Sequence, residues 1–336
     1  MKITHIHIER FRGFQNEDFE VGSLLTAIAG QNGTQKSTLL GIITQTFTLK
    51  TEDSMRVEKP LCGGSYISAF KDKFRLSPTF DKPKGHEWTI SFDAGMDDFT
   101  VESIKRTGDP NVRFWKKGAR QEGDGYISFP TIFLSLKRLV PVAEEAKIIT
   151  DDTLLTQEEL NEFKQLHNKI LIAQTPISSA TTITSKNKQS IGVSTELYDW
   201  NQNSMGQDNL GKIILALFSF KRLHDKYPRQ YKGGILAIDE MDATMYPASQ
   251  VELLKVLRKY ASKLNLQILF TTHSMSLLKA MDDLVQEVTK KEETANQAKI
   301  LYLKKVDDKI AIKQGVNFKG IQLDLNVVAE GNNRKK

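Results

Sequence analysis

The sequence predicts an α/β chain built on a mixed, largely parallel sheet, and three observations point there. "LLTAIAG" (24–30) is an apolar strand that runs directly into the glycine loop "GQNGTQKST" (30–38) and then into the helical "KSTLLGIITQTF". "GGILAIDEMD" (233–242) and "LQILFTTHS" (266–274) are nearly pure apolar strands joined by the helix-spaced "PASQVELLKVLRKYASKL", a strand–helix–strand unit of the kind that builds parallel sheets. Between these halves, residues 61 to about 136 break into short alternating segments, which predict an antiparallel β subdomain.

Taken in order, the opening "ITHIHIERF" alternates as a half-buried strand does. His5 and His7 share one of its faces, and two histidines without cysteine or carboxylate company read as exposed strand residues rather than a metal site. The glycine loop departs from the usual G-x-x-x-x-G-K-[ST]: Gly30, Lys36 and Ser37 stand in place, and Gln35 replaces the second glycine. Loop amides and the N-terminus of the following helix together still make an anion site. The segments "HEWTISFDA", "FTVESIKR", "VRFWKKG" and "YISFPTIFLSL", separated by Gly, Asp-Pro-Asn and Gly-Ala turn signals, make the antiparallel part.

From Glu144 to about Ile172 the pattern turns helical, with Leu160, Phe163, Leu166 or His167, and Ile170 at three-to-four spacing. The Ser/Thr-rich "TPISSATTITSKNKQS" after it predicts a flexible polar return. "NSMGQDNLGKIILALFSFKRL" sets Ser204, Met205, Gly206 and Gln207 at the mouth of a long amphipathic helix. Asp239 and Glu240 end an apolar strand, where one carboxylate can hold a divalent cation and its neighbour can take a proton from water. His273 ends the next strand, and "KILYLKKVDDKIAIKQG" predicts a final hairpin that leaves no room for a fused nuclease. The expected division is 1–143, 144–195 and 196–336: an N-terminal lobe, a helical arm with polar linker, and a C-terminal lobe.

At 336 residues and 39% hydrophobic, the chain is long enough for a large core in one elaborated domain or two lobes. No apolar run approaches the ~20 residues that span a bilayer, and the N-terminus alternates where a signal peptide carries an apolar block. The expectation is a cytoplasmic protein without a membrane partner. The lone Cys62 excludes an internal disulfide. A net charge of +6, spread along the chain, permits an encounter with nucleic acid without requiring one.

With "IERFRGF" on the first strand, "GQNGTQKST", "SMGQ", "ILAIDE" and "TTHS" in that order, the sequence resembles the ABC-type ATPase heads of the SMC, RecF and OLD-nuclease group over nearly its whole length. The resemblance implies ATP and Mg²⁺ as cofactors. Lys36 would reach the β- and γ-phosphates, Ser37 would ligate Mg²⁺, and the amides of Asn32, Gly33, Thr34, Gln35, Lys36, Ser37 and Thr38 would wrap the phosphates. Asp239 would support the Mg²⁺ shell, Glu240 would activate water, and His273 would sense the γ-phosphate. Ser204, Gly206 and Gln207 would act on the nucleotide of a second copy, and Arg12 matches an arginine that approaches the nucleotide. Asp242 fits an acidic position of the family, "MYP" (245–247) replaces the usual Leu-His-Pro, and no glutamine of a Q-loop can be named, although "FLSLKRLVP" stands near where the lobes join.

Gln35 carries two readings: a side chain near the γ-phosphate that slows hydrolysis while binding persists, or a side chain in solvent with no effect. By resemblance the chain is similar to stand-alone ATPase subunits of bacterial anti-phage systems, Septu-like or retron-associated, which work with a separate nuclease or toxin. The alternatives are a DNA-repair or DNA-loading ATPase, a transporter subunit, and a scaffold that binds ATP without turnover. The arm 144–195 is expected to dock the effector.

Overall fold

The computed structural model describes residues 1–67, 73–93, 95–105, 112–119, 124–139, 148–151, 154–173, 175–185 and 189–333, the last of these, 326–333, by backbone alone. Strand β1 (Ile3–Phe11) turns back into β2 (Phe14–Glu20) and also pairs with β5 (Glu87–Phe92), which continues through β6 (Phe99–Lys105) to β7 (Val112–Lys116). All these pairings are antiparallel. Alternation places Ile6, Ile8, Trp88, Ile90, Val101 and Phe114 on one buried face. That face packs on Leu39, Leu40, Ile42 and Ile43 of helix α1 (Lys36–Thr44).

The second sheet is mixed. Its centre is β3 (Leu25–Gly30), flanked by β14 (Leu266–Thr272) and β15 (Ala298–Val306), with β13 (Gly234–Ile238) and β9 (Thr131–Leu134) beyond β14 and β16 (Lys309–Lys313) beyond β15. Every neighbour pair is parallel except the β15–β16 hairpin. Helices α3 (Met205–Lys226), α4 (Pro247–Lys263) and α5 (Met275–Val288) contribute to the larger core cluster together with β3, β13 and β14. Strands β13 and β14 are buried on both faces, so apolar residues run along them without the alternation of a half-exposed strand.

Four sequence expectations change. "YISFPTIFLSL" does not extend the antiparallel sheet: β8 (Ile127–Ser128) pairs in parallel with β4 (Phe47–Thr48), and β9 joins the central sheet beside β13. The helical stretch is shorter than expected. Glu144, the 143/144 boundary and the Asp-Pro-Asn turn lie outside the described residues, Ile149–Asp151 is a strand, β10, and helix α2 spans Gln157–Leu171 behind a Thr156–Glu159 capping box. The polar linker is β structure, with β11 (Ser179–Thr184) pairing antiparallel to both β10 and β12 (Gln189–Ser194). Ile177, Ile183, Ile191 and Val193 are buried there, the last two alternating in register with the polar residues that masked them. The hairpin β15–β16 is also not final, because helix α6 (Phe318–Asn333) follows it. Cys62 is buried, and burial pushes its thiol up to about 11. Among the described residues no helix is long and apolar enough to cross a membrane.

Candidate nucleotide-binding site

The parallel sheet brings the C-terminal ends of β3, β13 and β14 to one edge, the place where open α/β sheets bind ligands. The loop after β3 wraps Lys36: its Nζ donates to the carbonyls of Gly30 at 3.0 Å and Gln31 at 2.9 Å. Thr34 closes the loop through Oγ1, 2.8 Å from the Gln31 carbonyl. Burial lowers the Lys36 ammonium from its ordinary value, opposed by the nearby carboxylates of Glu240, Asp239 and Asp242. Lys36 and Ser37 open α1, and the first amides of a helix have no partner within it, which suits its N-terminus to an anion.

Across from the loop, Ser37 Oγ donates to Asp239 Oδ1 at 2.8 Å, and Thr271 Oγ1 donates to the same oxygen at 2.7 Å. Thr271 Oγ1 also accepts from the Glu240 amide at 2.6 Å, so one hydroxyl on β14 orders both acids at the end of β13. Glu240 is held at φ 49, a left-handed conformation for a residue with a side chain. A serine hydroxyl and a buried aspartate oxygen at hydrogen-bond distance are a donor set that suits a hard cation with oxygen ligands. The residues present therefore fit Mg²⁺.

The other predicted residues surround this centre at different distances from it. Arg12, itself left-handed at φ 51, sends Nη1 to Thr38 Oγ1 at 3.4 Å and grips Asp81 with Nε at 3.1 Å and Nη2 at 3.0 Å. Burial would raise the Asp81 carboxyl, but Arg12, the Ser77 amide and His86 override it and hold it near 2. His273 is exposed after β14, with its amide 3.4 Å from Asp242 Oδ1, and it shares a cavity of about 180 Å³ with Gly30, Gln31 and Asn32.

Ser204 caps α3 in a reciprocal box with Gln207, whose Nε2 donates to Tyr198 at 2.7 Å. A Cβ on Gly206 would stand 2.5 Å from the Thr244 carbonyl, so glycine is needed there to let α3 close on the loop after β13. Ser204 and Met205 face solvent at this helix start.

Gln35 is left-handed at φ 62, and its side chain turns neither to the loop's centre nor freely to solvent. Oε1 lies 3.4 Å from the Gly13 amide on the β1–β2 turn, and a Cβ on Gly13 would meet Nε2 at 2.8 Å. The backbone cost expected of this position is present, and the side chain reaches the turn that carries Arg12. His5 and His7 also have carboxylate company: both contact Asp18 of β2, and His7 Nε2 lies 3.5 Å from Glu9 on its own strand. Among the described residues no cluster of three or more histidine, cysteine, aspartate or glutamate side chains forms that could hold a metal ion by itself.

Sequence reasoning missed Arg138. It lies in "FLSLKRLVP", is 2% exposed, and contacts Asn209 on α3 and the carbonyl of Glu240. Burial lowers its guanidinium to about 10, against the pull of Asp239, Glu240 and Asp242. Gln250 went unmarked as well; its Nε2 donates to the Met245 carbonyl at 2.7 Å and its Oε1 accepts from Ser274 beside His273. A charged residue inside an apolar stretch was the available signal for Arg138, and nothing local marks Gln250.

Residues 134–278 match the AAA ATPase domain family, a stretch that contains Ser204, Asp239, Glu240 and His273 and leaves the loop 30–38 outside. No curated protein matches the chain. Among solved structures, an SMC head domain from Thermotoga maritima is similar at a TM-score of 0.51 and 14% identity, covering 94% of this chain and 100% of the other. An SMC head bound to the C-terminal winged-helix domain of ScpA is similar at 0.52 and 14% identity, covering 96% of this chain and 100% of the other. The chain thus has the fold of an SMC head, and the ATPase domain matched within residues 134–278 makes it an ATPase.

Proposed function

We propose that the chain binds ATP and Mg²⁺ at the edge formed by β3, β13 and β14, closes as a pair of copies around the nucleotide, and uses that closure to control a separate effector. The observation that carries the reading is the convergence of Lys36, Ser37, Asp239, Thr271 and Glu240 from three strand ends on one point. Lys36 exchanges the Gly30 and Gln31 carbonyls for phosphate oxygens, Ser37 and Asp239 hold the cation, and Glu240 accepts a proton from the attacking water. Mg²⁺, when bound, neutralises phosphate charge and fixes phosphate geometry.

Pairing is supported by the exposed start of α3. Ser204 and Gln207 satisfy each other and Tyr198, leaving the helix N-terminus open to a phosphate of a second copy. Glu240→Gln should retain ATP and trap a pair. Light scattering of the isolated chain with ATP and Mg²⁺ tests this, and a folded Glu240→Gln protein that stays monomeric at saturating ATP rejects it.

For the effector we favour a nuclease or toxin in anti-phage defence, on the resemblance of the five motifs and on the short helix α2 and strands β10–β12 that the described residues of 148–195 form. A second reading, a DNA-repair or DNA-loading ATPase, is favoured by the SMC-head fold itself. DNA-stimulated hydrolysis by the isolated chain separates them: stimulation selects the second reading, and stimulation only by a co-purifying nuclease or toxin selects the first.

A further inference from the structure

Arg138 stands on the short 3₁₀ turn Leu136–Leu139 after β9, and its buried guanidinium touches three separate segments. Nη1 donates to the carbonyls of Leu134 at 3.2 Å and Ser135 at 3.0 Å, which fixes the fork to its own strand end. Nε donates to Asn209 Oδ1 at 2.7 Å on α3, and Nη2 donates to the Glu240 carbonyl at 2.7 Å. Asn209, fully buried, passes the connection on, its Nδ2 donating to the Ala243 carbonyl at 2.9 Å. The loop after β13 is therefore gripped at residues 240 and 243 from one guanidinium–amide pair.

The grip falls where the backbone most needs it. Glu240 is left-handed, a conformation that residues with a Cβ hold only when their surroundings enforce it, and Arg138 bonds the carbonyl of that residue. A buried guanidinium is costly unless each of its donors is used, and here Nε, Nη1 and Nη2 all have acceptors. Asn209 lies little more than one helical turn from Ser204 on the same rigid helix.

We propose that Arg138 is a positioning residue for hydrolysis: it sets the aim of Glu240 and, through Asn209, ties that aim to the placement of the α3 N-terminus. A shift of α3 when Ser204 and Gly206 seat on the nucleotide of a second copy moves Asn209, and the Arg138 fork carries the shift to Glu240. The proposal rests on the reading of Glu240 as the group that activates water. Lysine cannot replace the fork, because one ammonium on a flexible stem does not span Asn209 and Glu240 in a fixed plane.

The test is Arg138→Lys in the full chain, alone and combined with Glu240→Gln. We expect kcat for ATP to fall about thirtyfold with KM and equilibrium ATP binding within about threefold, the split that marks an interaction used in the transition state. The double variant should turn over no more slowly than Glu240→Gln alone, since both act on one group. Amides in 239–245 and 204–210 should exchange hydrogen faster together. Unchanged kcat with unchanged exchange overturns the proposal, as does a loss that multiplies fully with that of Glu240→Gln. If Glu240→Gln itself turns over normally, the reading of Glu240 fails, and exchange alone then judges Arg138: joint loosening of both segments supports the tie, and loosening of neither or of one rejects it. Should Arg138→Lys not fold, Asn209→Ser takes its place with the same readouts and the same rejecting results.

Discussion

The nucleotide edge and the insertion at 148–195 handle polar groups in opposite ways. At the edge, Lys36 rests on loop carbonyls, Ser37 on a carboxylate, and the start of α3 is open to solvent, so the bonds present are ones a phosphate or a cation can replace. In the insertion the charges are closed against the core. Arg222 of α3 holds Glu159 through two bonds, at 2.7 and 2.6 Å, and the Leu154 carbonyl at 2.6 Å. Lys221 holds Glu162 at 2.6 Å, which also takes the hydroxyl of Tyr260 on α4. Phe163 and Ile170 of α2 are fully buried in the same cluster as α3 and α4. The difference teaches that 148–195 is fastened to the ATPase core as part of its stability. Helix α2 in particular lies against α3 and α4 and does not project as an arm.

If that contrast is right, damage to the insertion lowers stability and damage to the edge lowers binding. The largest effect belongs to Phe163→Ala, which should cost about 3–5 kcal/mol in urea unfolding and leave ATP affinity of the folded fraction unchanged. A small cost would restore the projecting arm. Lys36→Ala should weaken ATP binding about a hundredfold, read by titration calorimetry, with the unfolding midpoint unchanged or raised because a half-desolvated ammonium is removed. Loss of fold in this variant would erase the distinction between the two regions.

His167 sharpens the comparison through pH. Both ring nitrogens lack a hydrogen-bond partner among the described residues, and burial holds the imidazole at about 4, against 6.5 for an exposed one. The unfolded chain therefore binds the proton first. The neutral side chain's contribution is complete above 6.5 and is lost progressively as pH falls from 6.5 towards 4, about 2 kcal/mol by pH 5. His167→Leu should flatten that part of the stability–pH curve, and an unaltered slope would show that the ring titrates elsewhere. The smallest effect is expected at the edge: Gln35→Gly relieves a left-handed residue by about 1 kcal/mol and changes single-turnover hydrolysis less than about threefold. A large rate change would mean that the Gln35 contact with the β1–β2 turn governs the site through Arg12.

The parts of the molecule legible in the sequence are those whose signals lie within a few residues of one another. The glycine loop between an apolar strand and a helix, the Ser204–Gln207 capping pair, and the carboxylates ending "ILAIDE" all come from local chemistry: backbone amides at a helix start, side chains that reach one turn ahead, and polar residues at the end of a buried strand. Sheet membership was not legible in the same way. Thr131–Leu134 reads as a strand suited to either sheet, and only its pairing with β13 decides. Strands β11 and β12 hid behind Ser and Thr because small residues fill part of their buried positions: Thr182 is buried beside Ile183, and Ser190 and Gly192 alternate with the buried Ile191 and Val193.

What the chain determined by itself was the inventory at the strand ends and the caps that start its helices, because those depend on neighbours in sequence. What tertiary structure alone decided was where long side chains go: Gln35 to the β1–β2 turn, the insertion onto α3 and α4, and Arg138 to partners 71 and 102 residues away. A flexible side chain takes whichever acceptor the packed fold brings within reach, and that choice exists only after the sheets have closed.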